Sequence, residues 1–140
     1  RVNIRFSEPA VFAHEVAVRI TDLNYGNHLG HDALVSLLHE ARAQFFRFLG
    51  GEESNTDGRA MMVADLAVRY RTEAFFGQRL RIEIGFDGHT RRSCDLVYRV
   101  SDTDTEAVVA LAKTGIVFFV RASRSLAPLP ETLAKAIAGD

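Results

Sequence analysis

Between residues 32 and 49 the chain carries Leu34, Leu37, Leu38, Ala41, Phe45, Phe48 and Leu49 at three-and-four spacing. That spacing marks a helix with one apolar stripe, wide enough to lie on a sheet. Beyond residue 60 the pattern changes to alternation. Met62, Ala64, Leu66, Val68 and Tyr70 point one way and Asp65, Arg69 and Arg71 the other. Leu80, Ile82, Ile84 and Phe86 then alternate with Arg79, Arg81 and Glu83, and Cys94, Leu96, Tyr98 and Val100 with Asp95 and Arg99. A long final strand covers Val108 to Val120. One strand before the helix is predicted from Phe12, Val16, Val18 and Ile20. One strand, one long helix and four more strands is an α+β order, not a parallel βαβ array. About five strands would form one antiparallel sheet around the helix.

Local signals set the boundaries. Asp32 is the expected N-cap, and Gly50-Gly51 ends the helix. Residues 52 to 59 read as a polar loop, and Asp87-Gly88 begins a turn. Pro128 and Pro130 open a short C-terminal helix over about 130–138. Residues 1–140 are read as a single domain with its core at about 12–121. Met61, Val63, Ala67, Val109, Leu111, Val117 and Phe119 fall off phase, on the outer face of the sheet. They call for a second cover, so a homodimer or homotetramer is expected.

Charge and cysteine content exclude several classes. A net charge of -1 gives no sign of a nucleic-acid or acidic-membrane partner. No apolar run reaches the ~18 residues of a membrane helix, and the N-terminus lacks a signal-peptide pattern. The single cysteine, Cys94, forms no intramolecular disulfide and builds no cysteine zinc cluster, which fits a cytoplasmic protein. Its apolar row makes it a packing residue. Only Lys113 and Lys135 are lysines; the other basic residues are arginines.

The stretch between the first strand and the helix is rich in polar side chains: Asp22-Leu-Asn24-Tyr-Gly-Asn27-His28-Leu-Gly30-His31-Asp32, followed by His39-Glu40-Ala41-Arg42. A helix N-terminus presents unpaired backbone N–H groups and the positive end of a dipole, which suit a developing oxyanion. Gly30 lets a substrate approach closely, so the amides of Leu29 to His31 are the oxyanion candidates.

These residues resemble the hot-dog thioesterases of the 4-hydroxybenzoyl-CoA and acyl-ACP thioesterase type. Members often read Asp-x-Asp-x-x-Gly-His-Val-Asn-Asn, then a helix ending in Glu-x-Ala-Arg. Asp22 matches the first Asp, His28 the His, Leu29 the Val, and Glu40-Ala41-Arg42 the helical end. The segment Val68 to Ile82 resembles that family's second and third strands, and the likeness spans residues 12 to 121. The resemblance implies a hot-dog fold and hydrolysis of an acyl-CoA or acyl-carrier-protein thioester, with coenzyme A as part of the substrate and no separate cofactor or metal. It also implies two helices side by side beneath a continuous sheet, with the site at a subunit contact. The pattern is broken at Asn24, where the family has its second aspartate, and at Gly30-His31, where it has Asn-Asn.

An amide accepts no proton from water at neutral pH. Asp22 is therefore either base or turn cap, and His28 either polarises water or orders the loop. Asn24 orients the water or the carbonyl. His31 points into the cleft or to solvent. Glu40 lies on a helix flank opposite His31 and reads as base or as an intersubunit ion-pair partner. Arg91 and Arg92 are candidates to grip coenzyme A phosphates, with Arg121 and Arg124 as a second set. An (R)-specific enoyl-CoA hydratase and a non-catalytic acyl-thioester-binding domain are the alternatives.

Overall fold

A computed structural model of the protein describes residues 1–139; Asp140, the last residue of the expected domain, lies outside the described residues. In chain order the elements are β1 (Phe12–Ala17), a 3-10 turn (Ile20–Asp22), α1 (His31–Phe48), β2 (Arg59–Tyr70), β3 (Arg79–His89), β4 (Ser93–Asp102), β5 (Val108–Val120), β6 (Leu126–Ala127) and α2 (Glu131–Ala138). The strands form one antiparallel sheet in the order β1-β3-β4-β5-β2. The two-residue β6 adds to β5 beside Phe118 and Phe119, just past the point where β4 begins.

The helical stripe is buried as its spacing requires. Leu34, Leu37, Leu38, Ala41 and Phe45 join one core with Leu80, Ile82 and Ile84 of β3, Leu96, Tyr98 and Val100 of β4, and Ile116 and Phe118 of β5. Two residues extend the buried face beyond the predicted stripe. Phe46 is fully buried against Phe118, with ring centroids 6.2 Å apart, whereas Phe48 is 67% exposed and meets only the edge of the core at Phe12. Arg42 is also buried. Its Nε donates to Glu53 at 2.5 Å and its Nη1 to the Tyr98 hydroxyl at 3.4 Å, and that hydroxyl pairs with Thr114 at 2.7 Å. A buried guanidinium is tolerable only with such partners, and these fasten the loop before β2 to helix and sheet.

Three boundaries differ from expectation. Gly30, not Asp32, is the N-cap of α1; Asp32 falls in the first turn, where a carboxylate suits the dipole. β1 stops at Ala17 because Arg19 and Asp22 close a turn, which leaves Ile20 63% exposed instead of inward. β3 runs on through Asp87-Gly88 to His89.

The larger correction concerns β2. The register steps from Val63↔Ile116 to Asp65↔Gly115, so Ala64 is an extra, bulged residue. Side chains alternate, and one inserted residue reverses the phase. Met61 and Val63 therefore share the inner face with Phe118 and Ile116, while Met62 turns outward. After the bulge Asp65 lies over β5, where its Oδ1 accepts the Gly115 N–H at 2.9 Å. A Cβ at position 115 would collide with that carboxylate, which is why a glycine stands mid-strand.

The outer face of β3 and β4 is partly covered by the N-terminal segment. Ile4 is buried there, Phe6 lies 4.3 Å beneath the Arg99 guanidinium, and Arg99 also pairs with Glu8 and Glu83. Replacing Phe46 by alanine is expected to cost about 3–5 kcal/mol, and Phe48→Ala less than about 1 kcal/mol. Urea denaturation of the two variants checks that order; the reverse order would show that the helix is turned differently on the sheet.

Candidate functional site

The chain leaves β1 under tight backbone control. Val18 N–H donates to Gln78 O, and Val18 O accepts from Gly77 N–H, which fixes the exit beside the loop leading into β3. Asp22 then closes the 3-10 turn, its carboxylate accepting from Arg19 N at 2.8 Å, Nη2 at 3.0 Å and Nε at 3.2 Å. These hydrogen bonds from Arg19 hold the Asp22 carboxyl below the usual carboxylate range, against the opposing effect of burial. Next, Asn24 N–H donates to His28 O, and Asn24 Oδ1 accepts the Gly26 N–H at 2.9 Å. Asn27 takes the left-handed conformation, φ 63°, which asparagine tolerates better than most residues. Gly26 lies against both polar groups of this turn: a Cβ there would sit 3.2 Å from Asn24 Oδ1 and from His28 Nε2. Finally Leu29 N–H donates to Ala74 O and Gly30 N–H to Asp22 O, and α1 begins.

The result is a cleft of about 300 Å³ at the N-terminus of α1. Leu29, Leu34, Ala74 and Val109 give it an apolar floor; Asn24, His28, His31, Arg71, Thr72 and Glu73 give it a polar rim. Tyr70, at the end of β2, donates its hydroxyl to His31 O at 3.1 Å and closes one wall. Burial, and then the nearby Asp32, push the Tyr70 phenol above its ordinary pKa, so it stays a donor. His28 Nδ1 lies 3.4 Å from Leu29 O, while Nε2 faces Glu73 Oε1 at 3.7 Å. The first helical hydrogen bond of α1 runs from Leu34 N–H to Gly30 O, so the amides of His31, Asp32 and Ala33 precede the ladder.

Asn24, His28 and His31 all border this cleft, with His31 exposed at its rim. Asp22 lies behind them, its carboxylate spent on Arg19. The oxyanion expectation needs a correction. The N–H groups of Leu29 and Gly30 are already bonded to Ala74 O and Asp22 O, which leaves His31 N–H of the three. Glu40 stands outside the cleft, exposed, accepting from Gln44 Nε2 at 2.7 Å. Arg91 borders a different depression, with His89 and Thr90 on one side and Pro128, Leu129, Ala134 and Ile137 on the other. This depression is at the far end of β3 from the cleft, and Arg92 lies in the same exposed turn. Arg121 and Arg124 are exposed beyond β5, with Arg124 5.9 Å over the Phe119 ring. Within one chain, none of the four arginines reaches the cleft.

Sequence reasoning missed Tyr70, Arg71, Thr72 and Glu73. The polar run directly after an apolar strand was the available signal. It carries no periodicity, and only the packing of the loop's Ala74 against Leu29 sets it opposite His28.

Comparison with known proteins adds an independent line. The family model of the thioesterase-like superfamily matches residues 18–137. Among solved structures, Slr0204, a 1,4-dihydroxy-2-naphthoyl-CoA thioesterase from Synechocystis, is 20% identical with a TM-score of 0.82, over 91% of this chain and 95% of that one. SAV2348 from Staphylococcus aureus, in complex with CoA, is 14% identical with a TM-score of 0.82, over 99% and 87%. The DHNA-CoA thioesterase from Staphylococcus aureus is 14% identical with a TM-score of 0.79, over 91% and 88%. At such identities the likeness speaks for the fold. No curated protein sequence matches the chain.

The Arg19–Asp22 contact predicts a pH dependence. The folded carboxyl titrates below its unfolded value of ~3.9, so the unfolded chain binds the extra proton between the two values. The contact's stability is complete above that unfolded value and is lost as pH falls through the folded one. Asp22→Asn should therefore be less stable than wild type at pH 7, with the gap closing in acid. Urea midpoints measured across pH check this; a gap that stays constant into acid would contradict it.

Proposed function

The chain belongs to the thioesterase-like superfamily and has its hot-dog fold, and on that footing we propose that it hydrolyses a coenzyme-A-linked acyl thioester in the cleft before α1. The observation that carries this reading is the convergence of Asn24, His28 and the first free amides of α1 on one apolar-floored cleft. Thioester hydrolysis needs three things: an activated water, a donor for the developing oxyanion, and a proton for the departing sulfur. The His31 N–H, at the positive end of the α1 dipole, is the oxyanion donor. Asn24 orients the water or the carbonyl. Of the three proton acceptors considered from sequence, the geometry favours His28, because Asp22 is occupied by Arg19 and held in its charged form and Glu40 stands outside the cleft.

In the proposed reaction, water attacks the thioester carbon and gives a proton to His28 Nε2. The tetrahedral intermediate places its oxygen on the amides at the start of α1. Collapse breaks the carbon–sulfur bond, and the imidazolium returns the proton to sulfur. The products are a carboxylic acid and the free thiol of coenzyme A. The small cleft and its apolar floor suit the acyl group; the longer carrier has to extend outside.

The sheet edge at β2 supports a homodimer. Met62, Val63, Ala64, Asp65 and Leu66 are all exposed on a twelve-residue edge strand. An unpaired edge of this length and apolarity is a template for another strand. Antiparallel pairing of two β2 strands about their midpoint would turn the Arg59 end of a second copy toward the Tyr70 end of the first. Arg91, Arg92, Arg121 and Arg124 lie at that Arg59 end. A second copy would thus bring arginines to the mouth of the cleft, where the phosphates of coenzyme A extend.

Free-thiol release from a panel of acyl-CoAs tests the activity. His28→Ala should lower kcat by about 10²–10⁴-fold, and Asn24→Ala should lower it less. Asn24→Asp restores the family's carboxylate, and a rate above wild type is expected if the cleft keeps the family geometry. Loss of enoyl absorbance without thiol release would instead identify a hydratase. Full activity in His28→Ala would refute the assignment. Sedimentation should give a dimer; a fully active monomer would remove the partner's arginines from the site.

A further inference from the structure

At the position of the family's second aspartate this chain has Asn24, so the carboxylate expected there has to come from elsewhere if the site uses one. Among the described residues, Asp22, Asp32, Glu40 and Glu73 are the carboxylates to weigh. Asp22 is taken up by Arg19 on both oxygens. Asp32 is turned back toward Gly30 and does not line the cleft: a Cβ at residue 30 would sit 2.7 Å from its Oδ1. Glu40 is held by Gln44 outside the cleft. Glu73 remains. It lines the cleft, and among the described residues its one ionic neighbour is His28.

We propose that Glu73, in the loop between β2 and β3, is the carboxylate of this site and acts through His28 as a positioning and charge-stabilising residue. The proposal rests on the thioesterase reading. Its logic lies in the two ring nitrogens. The Leu29 carbonyl, 3.4 Å from Nδ1, selects the tautomer with the proton on Nδ1. Nε2 then carries a lone pair and faces Glu73 Oε1 at 3.7 Å. Between a lone pair and a carboxylate there is no bond, so the resting pair gains little. Once Nε2 takes a proton from water, the same geometry sets the imidazolium charge beside the carboxylate, while its N–H remains available to the departing sulfur. Glu73 therefore interacts most strongly with the state reached during the reaction, the condition for an interaction to lower the barrier. When the imidazolium returns its proton to sulfur, the pair reverts to its resting form.

The position of Glu73 is set by backbone contacts. Ala74, its neighbour, is buried, and its carbonyl accepts from Leu29 N–H. Two residues before it, Arg71 N–H donates to Val109 O. Phe75 N–H is held by the Gln78 side chain, which itself donates to Asp102. The side chain of Glu73 is left to reach toward His28 across the cleft.

The experiment compares wild type, Glu73→Gln, Glu73→Ala, His28→Ala and the double variant Glu73→Gln/His28→Ala on one acyl-CoA. Glu73→Gln should lower kcat by about 10- to 100-fold, between the water and protein-surface limits for an opposite charge near 4 Å, with KM little changed. Formate should restore part of the kcat of Glu73→Ala and none of that of His28→Ala. The double variant should be no slower than His28→Ala, since residues acting as a unit are non-additive. Wild-type kcat in Glu73→Gln, or losses that multiply in the double variant, would overturn the role of Glu73 alone. Absence of thiol release by wild type across the acyl-CoA panel would overturn the thioesterase reading, and this role with it.

Discussion

The apolar face of α1 can leave water only against the inner face of the sheet, and most of the molecule follows from that contact. Leu34, Leu37, Leu38, Ala41, Phe45 and Phe46 are each buried to within a few per cent. Burial of a large apolar side chain contributes about 1.5–3 kcal/mol, while an exposed helix of this length is marginal in water. A sheet that covers an entire helix has to curve around it, and the strands from β3 to β2 do so through successive antiparallel pairings. The polar side chains beneath the helix enter as a bonded group. Arg42, Tyr98 and Thr114 satisfy one another, with Glu53 closing the set from the loop.

Seating the helix in this way fixes where its N-terminus emerges, and the cleft forms there. The segment from Val18 to Gly30 must cross from the β1 edge to the start of α1 over the sheet's end. Its backbone groups cannot join a ladder, so they find partners in Gln78, Ala74 and Asp22. That need accounts for the polar composition of the segment. Asp22 belongs to this framework: it orders the turn that lets Asn24 and His28 face the cleft. The side chains that carry the proposed chemistry are therefore positioned by backbone hydrogen bonds and by the absence of a Cβ at Gly26.

The two edges of the sheet are built differently. β1 is six residues long, with Ala13 and Glu15 exposed, and has Glu15 beside Arg79 of its neighbour. β2 is twice as long and presents Met62, Val63 and Leu66 to solvent. Charged, short edges resist pairing, and long apolar ones invite it. The bulge at Ala64 adds local twist to the second edge and gives Asp65 its place over Gly115.

Most of the architecture was legible in the residue pattern. The change from three-and-four spacing to alternation located α1 and the four later strands, because each period is imposed by the geometry of its own element. The inner rows of β3 and β4 fell where the alternation put them. The phase of β2 was legible after the bulge, where Leu66 and Val68 lie on the inner face, but not before it: one bulged residue reverses it, and nothing local in Met-Val-Ala-Asp announces the insertion. Nor was the burial of Arg42 and Phe46 legible, because a helix's period identifies its stripe but not the stripe's full width on a curved sheet. At the site, the sequence singled out Asn24, His28, His31 and the start of α1, since polar residues before an apolar helix stand out along the chain. What only the tertiary structure decided is which of their groups are free. Arg19 removes Asp22, Ala74 and Asp22 remove two of the three amides, and the β2–β3 loop brings in Glu73. Availability of this kind depends on neighbours far apart in the sequence, and spacing along the chain does not encode it.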